Sequence, residues 1–162
     1  MMAAPRSLVV LRHAKSAWPE DTPDAHRPLA DRGRRDAPAA GRWLRTHLDR
    51  IDLVVCSPAV RARQTWELVS GQLKTPPAVR EDERVYEASA ETLLAVTRDL
   101  PGDAHTVVLV GHNPGLEDLV ALLTGDRQQV KTSTIAVLAG SGAWADAGPG
   151  WARLRRLATP RG

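Results

Sequence analysis

The sequence predicts an α/β three-layer sandwich, α/β/α, on a mostly parallel central sheet with an antiparallel part at its C-terminal end. Three observations predict it. Apolar runs recur in "SLVVL" (Ser7–Leu11), "IDLVVCSP" and "HTVVLVGHNPG", and uninterrupted runs of this kind mark strands buried on both faces. Stretches with helical spacing of apolar residues lie between them, the alternation expected of a layered α/β fold. Two last runs, "STIAVLA" and "WARLRRLA", are joined by the Gly-rich "GSGAWADAGPG", which reads as an antiparallel pair.

Each element follows in order. After the first strand comes a Pro- and Asp-containing loop, "WPEDTPDAHRPLADRG", long enough to be functional rather than a simple connector. From Arg34 to Leu48 the apolar residues Ala37, Ala40, Leu44 and Leu48 share one helical face. Pro38 inside that span either marks the true start, with Asp36 as cap, or kinks the first turn. Ser57 is a good N-cap and Pro58 a good first residue for the helix "AVRARQTWELVSG", which Gly71 stops. A short strand fits Ala78–Arg80, and Ser89 caps a helix running to about Asp99. Asn113 and Pro114 open "GLEDLVALLTG", which Gly125 closes.

The chain has 162 residues, 43% apolar and 25% charged, a size and balance that suit one globular domain spanning 1–162. Cys56 is the sole cysteine, so an intrachain disulfide and a cysteine zinc site are both excluded. No run reaches the length of a membrane span, and the N-terminal apolar run is too short for a signal peptide. The expectation is a cytoplasmic protein with no membrane partner. The net charge of +3 is carried mostly by arginine, whose planar fork fits phosphate or carboxylate. Those charges are scattered and aromatic residues are few, so no nucleic-acid partner is expected.

The chemistry gathers where the strands end. The first strand ends in Arg12-His13, the second leads into a helix whose first turn carries Arg61, and the third ends in Gly111-His112. In open α/β sheets the carboxyl ends of parallel strands form the ligand-binding edge. Parallel neighbours would therefore bring Arg12, His13, Arg61 and His112 together with a helix N-terminus, itself an anion site. A tetrahedral phosphoryl group suits two guanidiniums and two imidazoles. A neutral imidazole nitrogen can attack phosphorus and split hydrolysis into two displacements, while the neighbouring cations neutralise the equatorial oxygens and lower the nucleophile's pKa. Any one of these residues alone is commonly structural; four at equivalent topological positions point to a site.

"LRHAKS", "RPLADRG", "SPAVRARQT" and "VGHNPGLEDL", in this order, resemble the histidine phosphatase superfamily, the phosphoglycerate mutase-like group. The short chain and the "GHNPGL" element make it most similar to the SixA-type phosphohistidine phosphatase branch. The resemblance runs from Leu8 to about Leu138. It implies one histidine phosphatase domain with His13 as nucleophile and Arg12, Arg61 and His112 as the phosphate clamp. It implies no cofactor and no metal. The substrate it implies is a phosphohistidine-bearing protein or a small phosphorylated molecule.

Two positions depart from the family pattern. Ala14 replaces the glycine of Arg-His-Gly, bringing a methyl close to the phosphate. Ala30 replaces the threonine after "RPL", removing a possible cap, so the helix is expected to start later or fray. Larger members of the family place a glutamate acid after the second arginine's helix. Here "REDERVYEASAE" offers Glu81, Asp82, Glu83 and Glu87. Glu87 is the nominee for protonating the leaving group, and Arg27 for a rim contact to phosphate. The short branch resembles enzymes that manage without such an acid, as a phosphoramidate substrate allows.

The same residues exclude several other chemistries. "CSPAVRAR" misses the Cys-x5-Arg loop of protein tyrosine phosphatases, because Ala62 holds the position where arginine is required; Cys56 reads as core. "GHNPGLEDL" lacks the Lys-Ser/Thr of a Walker A loop and the third glycine of a dinucleotide fingerprint. No carboxylate at ligand spacing accompanies His13 and His112 to suggest zinc. A small-molecule phosphomonoesterase and a phosphoryl-binding module without turnover remain open alternatives. Lys15 reads as a rim charge.

Overall fold

The structure, a computed structural model, describes residues 5–162. Six strands form one sheet: β1 (Arg6–Arg12), β2 (Leu53–Cys56), β3 (Ala78–Glu81), β4 (Thr106–Gly111), β5 (Ile135–Gly140) and β6 (Ala152–Ala158). Four helices connect them: α1 (Asp31–His47), α2 (Val60–Ser70), α3 (Ala90–Arg98) and α4 (Gly115–Thr124). The spatial order is β3-β2-β4-β1-β5-β6. The first four strands are mutually parallel, β5 runs antiparallel to β1, and β6 antiparallel to β5. The predicted three-layer α/β/α class is the one observed.

Side-chain alternation along the strands decides which helix goes where. On β1, Leu8 and Val10 face the layer containing Leu93, Leu116, Leu119 and Leu123 of α3 and α4. Val9 and Leu11 face Ala37, Ala40 and Leu44 of α1 and Trp66 and Val69 of α2. Each such buried Val or Leu contributes about 1.5–3 kcal/mol, and a one-residue slip would exchange the two faces. Register is therefore tightly specified, and it matters for function. Arg12 lies opposite Gly111 and Cys56 opposite Val110, so the chain leaves β1, β2 and β4 at one level of one sheet edge. No helix among the described residues is long and apolar enough to cross a membrane.

Several local expectations are corrected. Helix α1 starts at Asp31, earlier than Arg34, although Ala30 makes no side-chain cap bond. A tertiary contact fixes the start instead: the Ala30 N–H donates to the Lys15 carbonyl at 2.9 Å. Gly33 is needed for this approach, since a Cβ there would stand 2.2 Å from the Lys15 carbonyl oxygen. Pro38 lies well inside α1 and marks neither end. Asp36 is no cap but a buried carboxylate, accepting from Arg32 Nε, Arg161 Nη1 and the Gly162 N–H, as burial of a charge demands.

Ser57 is likewise displaced from its expected post, because α2 begins at Val60 with Ala59 as N-cap. Pro58 precedes the helix. The Ser57 hydroxyl instead accepts from the Ala59 N–H at 3.2 Å and meets His112. The Ala14 methyl does not line the cavity that Arg12, His13, Arg61 and His112 share. Ala14 is fully buried, packing in the α1–α2 layer with Leu11, Ala37 and Ala62. Ser89 does cap α3, accepting from the Thr92 N–H, and Gly125 closes α4 at φ +83°, a conformation glycine adopts without strain.

Candidate active site

His13 follows directly on β1, and its main-chain N–H donates to the Gly111 carbonyl of β4 at 3.1 Å. Its ring Nδ1 lies 2.7 Å from the Ala14 carbonyl. A carbonyl can only accept, so Nδ1 carries the proton and Nε2 keeps its lone pair. Burial lowers the imidazole pKa to about 3, and His112, Arg61 and Arg12 push the same way against the Ala14 hydrogen bond. Desolvation thus outweighs the neighbouring cations as the cause of neutrality. The nitrogen is both unprotonated and fixed in direction.

The next residue ties this imidazole to the arginine helix. The Ala14 N–H donates to Thr65 Oγ1 at 2.9 Å, and the Thr65 hydroxyl donates to the Arg61 carbonyl at 2.7 Å. Arg61 is thereby held in the first turn of α2 at a set distance from His13. Its Nη1 donates to the Asp24 carbonyl at 2.7 Å and its Nη2 to Asp24 Oδ2 at 3.0 Å.

His112 follows on β4, its ring centroid 5.2 Å from that of His13. Its Nε2 is 2.7 Å from the Ser57 hydroxyl. Ser57 is fully buried and already accepts the Ala59 N–H, and Nε2 is the acceptor within reach of its proton. Ser57 therefore donates to Nε2, and His112 is the Nδ1–H tautomer. That Nδ1 is buried without a partner, as is Nε of Arg12. The His112 pKa falls to about 4 through burial first and then Arg61, with Asp24 opposing and Arg12 assisting. Arg12 reaches the Val130 carbonyl with Nη1 at 3.2 Å; burial lowers its pKa, Glu117 raises it and Arg61 lowers it.

Asp24, in a 3-10 turn over Asp24–His26, was not anticipated. Besides Arg61 it accepts from Arg27 Nη1 at 3.1 Å and from the Tyr86 hydroxyl at 2.5 Å. Tyr86 and then the two arginines, against a burial cost, hold its carboxyl at about 2; the same bond pushes Tyr86 up to about 12. The one sequence signal for it was the i,i+3 spacing of Asp24 and Arg27 in a Pro-flanked loop.

The predicted clamp is brought together: Arg12, His13, Arg61 and His112 line one cavity of about 240 Å³, with Lys15 and Arg27 also on its wall. Arg27 is, however, heavily engaged by the protein, donating through Nε to the Ala17 carbonyl, through Nη2 to Ser16 Oγ and through Nη1 to Asp24. Glu87 does not line this cavity, although it stands close enough to Tyr86 to raise its pKa alongside Asp24. It lines a neighbouring cavity of about 390 Å³ that shares His112 and Asn113 with the first. Cys56 is buried in the core, and burial followed by Glu81 pushes its thiol to about 12 against the pull of Arg63. Among the described residues no group of three or more His, Cys, Asp or Glu side chains is assembled as a metal-ligand set.

A pocket lined by three arginines and two neutral histidines at the carboxyl edge of a parallel sheet defines an α/β enzyme of phosphoryl chemistry. The histidine phosphatase superfamily (branch 1) matches residues 8–100. An uncharacterized Mycobacterium tuberculosis protein, Rv1276c, is 40% identical over 93% of this chain and 100% of its own. A structure described as a candidate phosphohistidine phosphatase SixA from Nakamurella multipartitia is 35% identical, with a TM-score of 0.86 over 99% of both chains. One described in the same words from Agrobacterium tumefaciens is 26% identical, with a TM-score of 0.84 over 98% of this chain and 100% of that one. The chain belongs to the histidine phosphatase superfamily and is a histidine phosphatase of SixA type.

Proposed function

We propose that the protein is a metal-independent phosphatase for phosphohistidine carried on another protein, acting through a phosphohistidine at its own His13. The observation that supports this most is the 2.7 Å bond from His13 Nδ1 to the Ala14 carbonyl. It directs the Nε2 lone pair outward while the main-chain oxygen waits to stabilise the ring cation formed by attack. In the first step Nε2 bonds to phosphorus, and the bond from phosphorus to the leaving nitrogen breaks. The leaving nitrogen keeps the electron pair and takes a proton from solvent. In the second step water attacks phosphorus and its proton is released. The P–N bond to His13 breaks, and Nε2 recovers its lone pair. Arg12, Arg61 and His112, which line the same cavity, would hold the equatorial oxygens throughout.

Two features favour a phosphoramidate over an alkyl phosphate. Asp24, held near 2 by Tyr86 and the two arginines, is ionised at neutral pH and has no proton to give. Glu87 lies in the neighbouring cavity. An imidazole leaving group needs no strong acid. The phosphoryl cavity of about 240 Å³ falls below the roughly 300–1,000 Å³ of sites that enclose whole small ligands. That suits a phosphoryl group offered on a side chain whose remainder stays outside. The structure from Nakamurella multipartitia, at 35% identity, is described as a candidate phosphohistidine phosphatase, in keeping with this reading.

The test is a phosphohistidine peptide, supplied with and without a chelator. Chelator-resistant release of phosphate and an acid-labile phosphoenzyme are expected, both lost in His13→Ala. Label trapped on another residue would overturn the mechanism. The 390 Å³ neighbouring cavity supports one second reading, a small phosphomonoester whose leaving group sits beside Glu87. In that case Glu87→Gln lowers turnover of alkyl phosphates selectively.

A further inference from the structure

Among the described residues three large apolar side chains are exposed: Trp18 at 76%, Val79 at 50% and Leu157 at 42%. Val79 and Leu157 lie on the two edge strands, β3 and β6. Trp18 alone of the three borders the cavity that holds His13, Arg61 and His112. An indole left in water forgoes a large burial gain, so its place at the mouth of this cavity calls for an occupant.

The ring is exposed but not loose. The Arg27 guanidinium carbon stands 3.2 Å from the indole centroid. Arg27 is itself buried and fastened at 3.0 Å to the Ala17 carbonyl, at 2.6 Å to Ser16 Oγ and at 3.1 Å to Asp24 Oδ1. One indole face is thus backed by a fixed cation, and the exposure of the ring leaves the other free. A ring held in place in this way binds with little further loss of conformational freedom.

Charge selects what the free face accepts. A cation there would sit across the ring from Arg27 and near Lys15, which also lines the cavity. An anion would meet the negative face of the π-system. A neutral planar ring meets neither objection and stacks favourably.

We propose that Trp18 is a stacking platform for a neutral planar group attached to the phosphorus, as in the imidazole of a phosphohistidine. This rests on the phosphatase reading of the same cavity. It assigns Trp18 a part in substrate selectivity, with Arg27 as the residue that positions it.

The experiment compares kcat/KM for a phosphohistidine peptide and for p-nitrophenyl phosphate against that for glycerol phosphate, in wild type, Trp18→Leu and Trp18→Phe. Leucine keeps apolar bulk without a ring, and phenylalanine keeps a ring. The planar-to-alkyl ratio should fall about three- to tenfold in Trp18→Leu and be largely retained in Trp18→Phe. An unchanged ratio in Trp18→Leu, or equal losses in both variants, overturns the platform. If wild type turns over none of the three compounds, the phosphatase reading fails instead. If turnover depends on His13 but the ratio ignores Trp18, only the stacking is lost.

Discussion

Arg61 holds Asp24 at two points, Nη1 on its main-chain carbonyl and Nη2 on its carboxylate, across 37 positions of sequence. The guanidinium assigned to phosphate is therefore already oriented, and partly neutralised, by the protein's own anion. Tyr86 and Arg27 complete the arrangement on the same carboxylate. Oriented charge of this kind needs no reorganisation when a phosphoryl group arrives.

Asp24→Ala should leave the buried Arg61 side chain without its carboxylate, costing about 1–3 kcal/mol in urea unfolding. Phosphate can stand in for the lost anion, so the rise in melting temperature on adding phosphate should be larger in the variant than in wild type. Identical rises would mean that Asp24 and phosphate do not share Arg61.

Ser57→Ala removes the hydroxyl that keeps the His112 proton on Nδ1. Vanadate affinity and turnover should each drop about tenfold, the worth of one buried hydrogen bond to a reacting site. Ser57→Thr, which restores a hydroxyl, should recover most of the loss. Full activity in the alanine variant would show that His112 finds its tautomer without Ser57.

Acid should unfold the protein through the two buried imidazoles of the cavity, His13 and His112. Burial lowers His13 to about 3 and His112 to about 4, from an ordinary 6.5. Between pH 6.5 and those values the unfolded chain binds protons that the folded chain refuses. Stability is then complete above pH 6.5 and declines as pH falls. Asp24, lowered from 3.8 to about 2 chiefly by Tyr86, adds a further loss below 3.8. Urea midpoints followed from neutral pH to about pH 4.5 should fall in wild type and flatten in the His13→Gln/His112→Gln double variant. A slope equal in both proteins would contradict the neutral-imidazole assignment.

Cys56→Ser should leave turnover intact. Burial pushes the thiol to about 12, which leaves no thiolate at neutral pH to act as nucleophile. The cost should be about 1–3 kcal/mol of stability, from a hydroxyl placed in an apolar layer. Loss of activity in a variant that still melts cooperatively would revive a thiol mechanism.

Much of the fold was legible because burial on both faces of a parallel strand demands an unbroken apolar run, as Ser7–Leu11 and Thr106–Gly111 show. The class of the site was legible for a related reason. Arg12, His13 and His112 stand where such runs stop, and Arg61 stands at the start of the helix that follows one. Strand ends in this topology share an edge. Local rules misled where a tertiary contact outweighed them. The good N-cap Ser57 was drawn to His112, and the uncapped start of α1 was held by the Lys15 carbonyl against Gly33.

By itself the sequence determined the layered α/β class, the strand and helix content, and which residues, His13, Arg12, Arg61 and His112, gather in one cavity at the sheet edge. Periodicity and element ends record what is buried and where the chain turns. Only the tertiary structure decided that Asp24 joins Arg61, Arg27 and Tyr86, that Glu87 stands in the neighbouring cavity, and that the Ala14 methyl faces the core. It also decided that Trp18 waits at the cavity mouth. These relations depend on the paths of loops that bring together side chains far apart in sequence, Asp24 and Tyr86 by 62 positions, and no local pattern of apolar and polar residues encodes those paths.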